Sequence, residues 1–98
     1  MTITKKQNGN ALEIALEGRL DTMTAPELEA ELNGSLDGAE ILTLDFTDLS
    51  CISSAGLRVL LAAQKRMGKK GGMTVTHVGE AIMEIFEVTG FTDILTIE

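Results

Sequence analysis

Hydrophobic and polar positions alternate along residues 11–20, ALEIALEGRL. Leu12, Ile14 and Leu16 fall on one side and Glu13, Ala15 and Glu17 on the other, as in a half-buried strand. TITKK predicts a short strand ahead of it, and Gln7-Asn8-Gly9-Asn10 carries an Asn-Gly turn signal between the two. The chain is expected to open with a β-hairpin. From Thr24 the period becomes helical. Leu28, Leu32 and Leu36 recur every fourth residue, and Thr24-Ala25-Pro26-Glu27 has capping-box spacing with Pro in the first turn. This predicts a helix over 25–36, with Gly34 its weak point.

ILTLDF (41–46) predicts a largely buried strand, followed by a polar loop over 47–54. Leu57, Val59, Leu60, Leu61, Ala62 and Ala63 then leave little polar circumference, which predicts a heavily buried helix over 55–67. Lys65, Arg66, Lys69 and Lys70 crowd its C-terminal end, where cations suit the helix dipole, and Gly68, Gly71 and Gly72 stop it. MTVTHV (73–78) predicts another strand. Ile82, Ile85, Phe86 and Thr89 mark a third helix over 80–89 that ends at Gly90, and ILTI (94–97) predicts a closing strand. Strands that alternate with helices need crossover connections. The expected fold is thus α/β, a mixed, mostly parallel sheet with an N-terminal hairpin and three helices.

The length of 98 residues suits one domain spanning 1–98. Aromatic residues are 3% of the chain, all Phe, so the core must be built from Leu, Ile, Val, Ala and Met. A net charge of −7 argues against nucleic-acid binding, which rests on neutralising phosphates with Lys and Arg. MTITKKQNGN lacks the apolar stretch of a signal peptide, and no run approaches the roughly 18–20 apolar residues that span a bilayer. A single cysteine, Cys51, permits no intramolecular disulfide, and cytoplasm is the expected compartment.

Candidate chemistry is sparse. Gly68-Lys69-Lys70-Gly71-Gly72 closes a helix, whereas a phosphate loop of Walker type opens one. His77 is the only histidine, and no nucleophile pattern surrounds Ser53 or Ser54, so an enzyme is not expected. One His and one Cys supply no zinc ligand set, and neither a metal nor another cofactor is expected. Cys51 is either a small packed residue or an exposed reactive thiol. Ser53 and Ser54 immediately precede the second helix. Their ordinary task there is to cap its free N–H groups. A helix N-terminus also receives a phosphate well, so the same position could carry a reversible charge switch.

The segment Asp45-Phe46-Thr47-Asp48-Leu49-Ser50-Cys51-Ile52-Ser53-Ser54-Ala55-Gly56-Leu57 resembles the signature of STAS-domain proteins, and in particular of stand-alone bacterial anti-sigma factor antagonists. Gly18-Arg19-Leu20-Asp21 and Val88-Thr89-Gly90-Phe91 are similar to two further stretches of that family. The resemblance implies a STAS-like fold with its helices on one side of the sheet. It also implies a protein-binding module whose unphosphorylated form binds an anti-sigma factor that is itself a serine kinase, freeing a sigma factor. The kinase would phosphorylate Ser54 and a phosphatase would reset it, with Ser53 as the alternative acceptor. Asp21, Ser53, Ser54, Ala55 and Gly56 would form the partner-binding surface. The other reading of the resemblance is a STAS scaffold or sensory module of a larger stress-signalling or transport complex. Two departures stand out. The residue ahead of the phosphoserine is often acidic in the family but is Ser53 here, and many members carry a further C-terminal helix, so the last strand is expected to be less covered.

Overall fold

A computed structural model describes all 98 residues. The strands are β1 (Thr2–Asn8), β2 (Ala11–Leu20), β3 (Ile41–Ile52), β4 (Met73–Thr76) and β5 (Thr96–Ile97), and the helices are α1 (Ala25–Ser35), α2 (Ser54–Met67) and α3 (Glu80–Thr89). The sheet order is β1-β2-β3-β4-β5, with β1 antiparallel to β2 and every other pairing parallel. Because each parallel strand is followed by its spatial neighbour, the crossovers all run in one direction. Crossovers of one hand then deliver all three helices to the same face.

Burial follows from that layout. Leu12, Ile14 and Leu16 of β2, Leu42, Leu44 and Phe46 of β3, and Met73 and Val75 of β4 face the helices and are buried. Their neighbours Glu13, Ala15, Thr43, Asp45, Thr74 and Thr76 are half-buried on the uncovered face. Leu28 and Leu32 of α1, Leu60, Ala63 and Met67 of α2, and Ile82 and Phe86 of α3 complete a core of 24 apolar residues with no buried charged or polar member. Phe86 lies between Phe46 and Phe91, with ring centroids 6.5 and 6.2 Å away.

The structure departs from the sequence reading in several places. The segment 47–52 is strand, not loop. β3 has 12 residues against 10 in β2, and two irregularities in their pairing absorb the difference. Buried positions therefore run Phe46, Leu49, Ile52 at intervals of three, so alternation fails just where the strand bulges. The hairpin turn is Gly9-Asn10, with Gly9 at φ 63°, because Asn8 still pairs with Ala11.

The first helix ends at Ser35, and Leu36–Gly38 tighten into a 3₁₀ turn that keeps Leu36 buried. The capping box does not form, since neither Thr24 nor Glu27 makes a cap bond. β4 stops at Thr76, and His77 takes a left-handed φ of 56°, which bends the chain out of the sheet. A 3₁₀ turn over Phe91–Asp93 shortens the last strand to two residues, and both remain at least partly exposed. α3 occupies the expected 80–89 and ends in a left-handed Gly90 at φ 81°.

Candidate functional site

The last residues of β2 and β3, Leu20 and Ile52, are register partners. The next residues, Asp21 and Ser53, therefore leave the sheet side by side, and the Ser53 N–H donates to the Leu20 carbonyl at 2.9 Å. This is the carboxyl edge of the parallel strands, where α/β folds present their functional loops. Asp21 and Ser54 share that edge.

Asp21 builds the turn into α1. Its carboxylate accepts the N–H groups of Met23 (3.0 Å) and Thr24 (3.2 Å). Its own N–H donates to the Thr24 hydroxyl (2.9 Å), which donates in turn to the Arg19 carbonyl (2.7 Å). The Arg19 guanidinium stands 3.5 Å from the carboxylate. Partial burial works against the charge on Asp21. The Thr24 and Met23 N–H groups, with the Arg19 and Thr24 side chains, outweigh it and hold the carboxyl below the usual carboxylate range. Asp21 therefore has a structural task of its own, as the acceptor that fixes this turn. Thr24 went unrecognised as its partner because Asp-x-x-Thr reads equally well as the approach to a helix cap. Beside the turn, Met23 is 83% exposed.

The two serines differ. Ser53, not Ser54, is the N-cap residue of α2, in extended backbone with φ −107° and ψ 177°. Its hydroxyl makes no cap bond and is a buried oxygen without a partner. Ser54 is the first helical residue, with its side chain at the surface. The expectation that these two serines cap the helix is thus corrected: the Ser53 hydroxyl makes no cap bond, and at the first helical position the Ser54 hydroxyl lies past the place from which a side chain reaches the free N–H groups. Ala55 is half-buried and Gly56 is buried. A Cβ on Gly56 would lie 2.7 Å from Leu20 Cγ, 2.9 Å from Ile52 Cγ1 and 3.0 Å from the Leu20 carbonyl oxygen. Glycine is what lets the first turn of α2 sit on the ends of β2 and β3. Gly56 therefore serves the site by packing, while Ser54 stands in front of it.

A cleft of about 260 Å³ opens between α1 and α2, lined among others by Thr22, Pro26, Glu29, Ala55 and Arg58, with Ser54 outside its lining. Arg58, one turn after Ser54, was not singled out in the sequence. Its helical spacing from Ser54 was the available signal. On the uncovered face a second carboxylate is also organised. The Thr47 hydroxyl and N–H donate to Asp45 at 2.6 and 2.9 Å, and they outweigh partial burial, with His77 helping, to lower its pKa. No group of three or more His, Cys, Asp or Glu side chains is arranged to hold a metal ion, and Cys51 is a half-buried free thiol. No helix is long and apolar enough to cross a membrane.

A family model described as Mlab, STAS domain matches residues 3–96. The chain belongs to the STAS-domain family. A Bordetella bronchiseptica protein that bears the name "Putative anti-sigma factor antagonist BtrV" is 33% identical over 99 residues, covering 99% of this chain and 85% of its own. The anti-sigma-B factor antagonist of Bacillus subtilis is 29% identical over 98 residues, covering 99% and 90%. Among solved structures, an anti-sigma factor antagonist from Mycobacterium paratuberculosis superposes with a TM-score of 0.88 at 25% identity, covering 98% of this chain and 83% of that one. The STAS assignment agrees with the five-stranded mixed sheet and its three helices.

Proposed function

We propose that this STAS-domain protein is an anti-sigma factor antagonist worked by phosphorylation of Ser54. In its unphosphorylated form it binds an anti-sigma factor that is also a serine kinase, and a sigma factor is released. The kinase then modifies Ser54, which ends the interaction, and a phosphatase restores the starting state. The observation that carries this reading is the exposed Ser54 side chain at the head of α2, on the same sheet edge as the Asp21 turn. Relatives aligned along nearly the whole chain bear the antagonist name, which supports the same reading.

The buried Ser53 hydroxyl supports Ser54 as the acceptor, since a kinase must reach the oxygen it modifies. Contact with the partner falls to Ser54, Ala55 and the Asp21 turn, with Gly56 and Ser53 shaping the surface from beneath. The chain supplies a binding surface and an acceptor hydroxyl, and the chemistry of transfer belongs to the kinase. A net charge of −7 leaves nucleic acid outside its direct partners, and the cytoplasm is where a sigma factor would be met.

Co-purification from the native cell tests the reading. The expected result is a small ATP-binding partner that, given ATP, adds about 80 Da to this chain at Ser54, the mass of one phosphoryl group. A partner that binds but never modifies Ser54 would overturn the switch. Capture of no such partner by the unphosphorylated chain would overturn the antagonist reading itself.

A further inference from the structure

The cation nearest in sequence to Ser54 on α2 is Arg58, about one turn along the helix, and it is exposed. Residues four apart on a helix are surface neighbours, with Cβ atoms about 5–6 Å apart. Helical side chains also lean toward the N-terminus, so Arg58 leans back over the turn that Ser54 begins. Of the α2 residues that line the α1–α2 cleft, Ala55, Arg58, Val59 and Ala62, Arg58 is the one four residues from Ser54 and so its neighbour on the helix surface, while Ser54 itself lies outside the lining. The other cation at this edge, Arg19, is already engaged with Asp21 at 3.5 Å. Arg58 forms no ion pair, although the Glu29 carboxylate lines the same cleft.

We infer that Arg58 is the internal clamp for the phosphate on Ser54. Once Ser54 carries a phosphoryl group of about −1.5 to −2 charge, the Arg58 guanidinium pairs with it and closes over the Thr22–Ala55 end of the cleft. An anion placed one turn N-terminal to a cation is the favourable order for such a pair. The only carboxylate lining the same cleft, Glu29, carries a single charge and competes poorly with a phosphate dianion. The phosphorylated state then differs from the free one in two ways. It adds negative charge at the head of α2, and it withdraws from the partner a cation and the cleft mouth beside it.

This inference rests on Ser54 being the acceptor, but its test does not need the kinase. Phosphoserine is installed at position 54 of the full chain by codon reassignment, and the phosphate is titrated by ³¹P NMR in the wild type, Arg58→Gln and Arg58→Lys. The helix dipole acts equally on all three, so the difference between them isolates residue 58. The phosphate is expected to titrate at lower pH in the wild type than in Arg58→Gln, by about 0.3 unit or more at low ionic strength, with Arg58→Lys keeping part of the shift. Unchanged melting of the unphosphorylated variants would show that the exposed substitution leaves the fold alone. Identical phosphate titrations in wild type and Arg58→Gln would overturn the clamp while leaving the antagonist reading untouched. Failure of any partner to modify Ser54 would remove that reading and leave the titration result standing.

Discussion

At the scale of single residues, the site separates groups that hold the fold from one that is free to change. Ser54 has no cap bond to lose, so Ser54→Ala should shift stability by no more than about 0.5 kcal/mol, as at ordinary surface positions. Ser54→Asp should be as stable or slightly more so, because a first-turn carboxylate suits the helix dipole. Binding should rank them the other way. Ala keeps the partner and cannot be switched off, whereas Asp sets a charge against the partner surface, where desolvation works against it. Melting curves and titrations on the same samples decide this, and equal affinity of Asp and wild type would remove the charge-switch reading. Thr24 behaves oppositely. Thr24→Val leaves the Asp21 N–H without its acceptor and removes the bond to the Arg19 carbonyl, so about 1–2 kcal/mol of stability should be lost in denaturant titration. Acid should act through the same turn. Asp21 and Asp45 have pKa values lowered by folding, so the stability they contribute is complete above the unfolded carboxylate value of about 3.9. It is lost as pH falls through their lower folded values. Asp45→Asn should therefore flatten the fall of the urea midpoint as pH drops below about 4, and an unchanged slope would show that Thr47 does not stabilise the ionised form.

At the scale of elements, what was legible in the sequence was whatever kept a single period. α2 and α3 have their apolar stripes intact from end to end, and β2 alternates cleanly as far as Leu16. β3 was half hidden because its bulges replace intervals of two by intervals of three, and polar Thr47, Asp48 and Ser50 then look like a loop. The edge shared by Asp21 and Ser54 was legible because both follow a strand and precede a helix. Which serine takes the N-cap position of α2 was not, since it depends on a one-residue shift in where the helix begins. Nor was Arg58, whose spacing from Ser54 means little until both residues are found exposed on the same helix. Gly56 joins the two scales. In the interior of a free helix, Gly→Ala gains up to about 1 kcal/mol in propensity. Here the new methyl would meet Leu20 Cγ at 2.7 Å and the Leu20 carbonyl oxygen at 3.0 Å, and a backbone atom of a central strand has nowhere to go. Overpacking of that kind costs about 1–3 kcal/mol, so Gly56→Ala should be net destabilising and Gly56→Leu more so. A Gly56→Ala protein that unfolds later than wild type in urea would mean that the α2 end is free to move off the sheet.

At the scale of the whole molecule, the helices lie on one face of the sheet, and the site occupies one edge, where two strands hand the chain to two helices. Nothing in the core of 24 apolar residues depends on the Ser54 side chain, which is exposed at the head of α2. A phosphate there takes the net charge from −7 to about −9 without removing a buried contact or a hydrogen bond that the fold uses. The switch should then be electrostatic and local. Chemical shifts in the phosphorylated protein should move in the Asp21–Thr24 turn and in residues 53–58, and should stay fixed in α3, β4 and β5, on the far side of the sheet order. The melting midpoint should not fall, because a dianion at a helix N-terminus is favoured by its dipole. Added salt should weaken the difference in partner affinity between the two forms, since exposed charges are screened over about 8 Å at physiological ionic strength. A conformational switch has a different signature: shifts that spread through Phe46, Phe86 and Phe91, the aromatic contact that ties β3 to α3, and an affinity difference indifferent to salt. A phosphorylated sample with that second pattern would show that the core responds to Ser54 after all, and that the rigid-edge account of the switch is wrong.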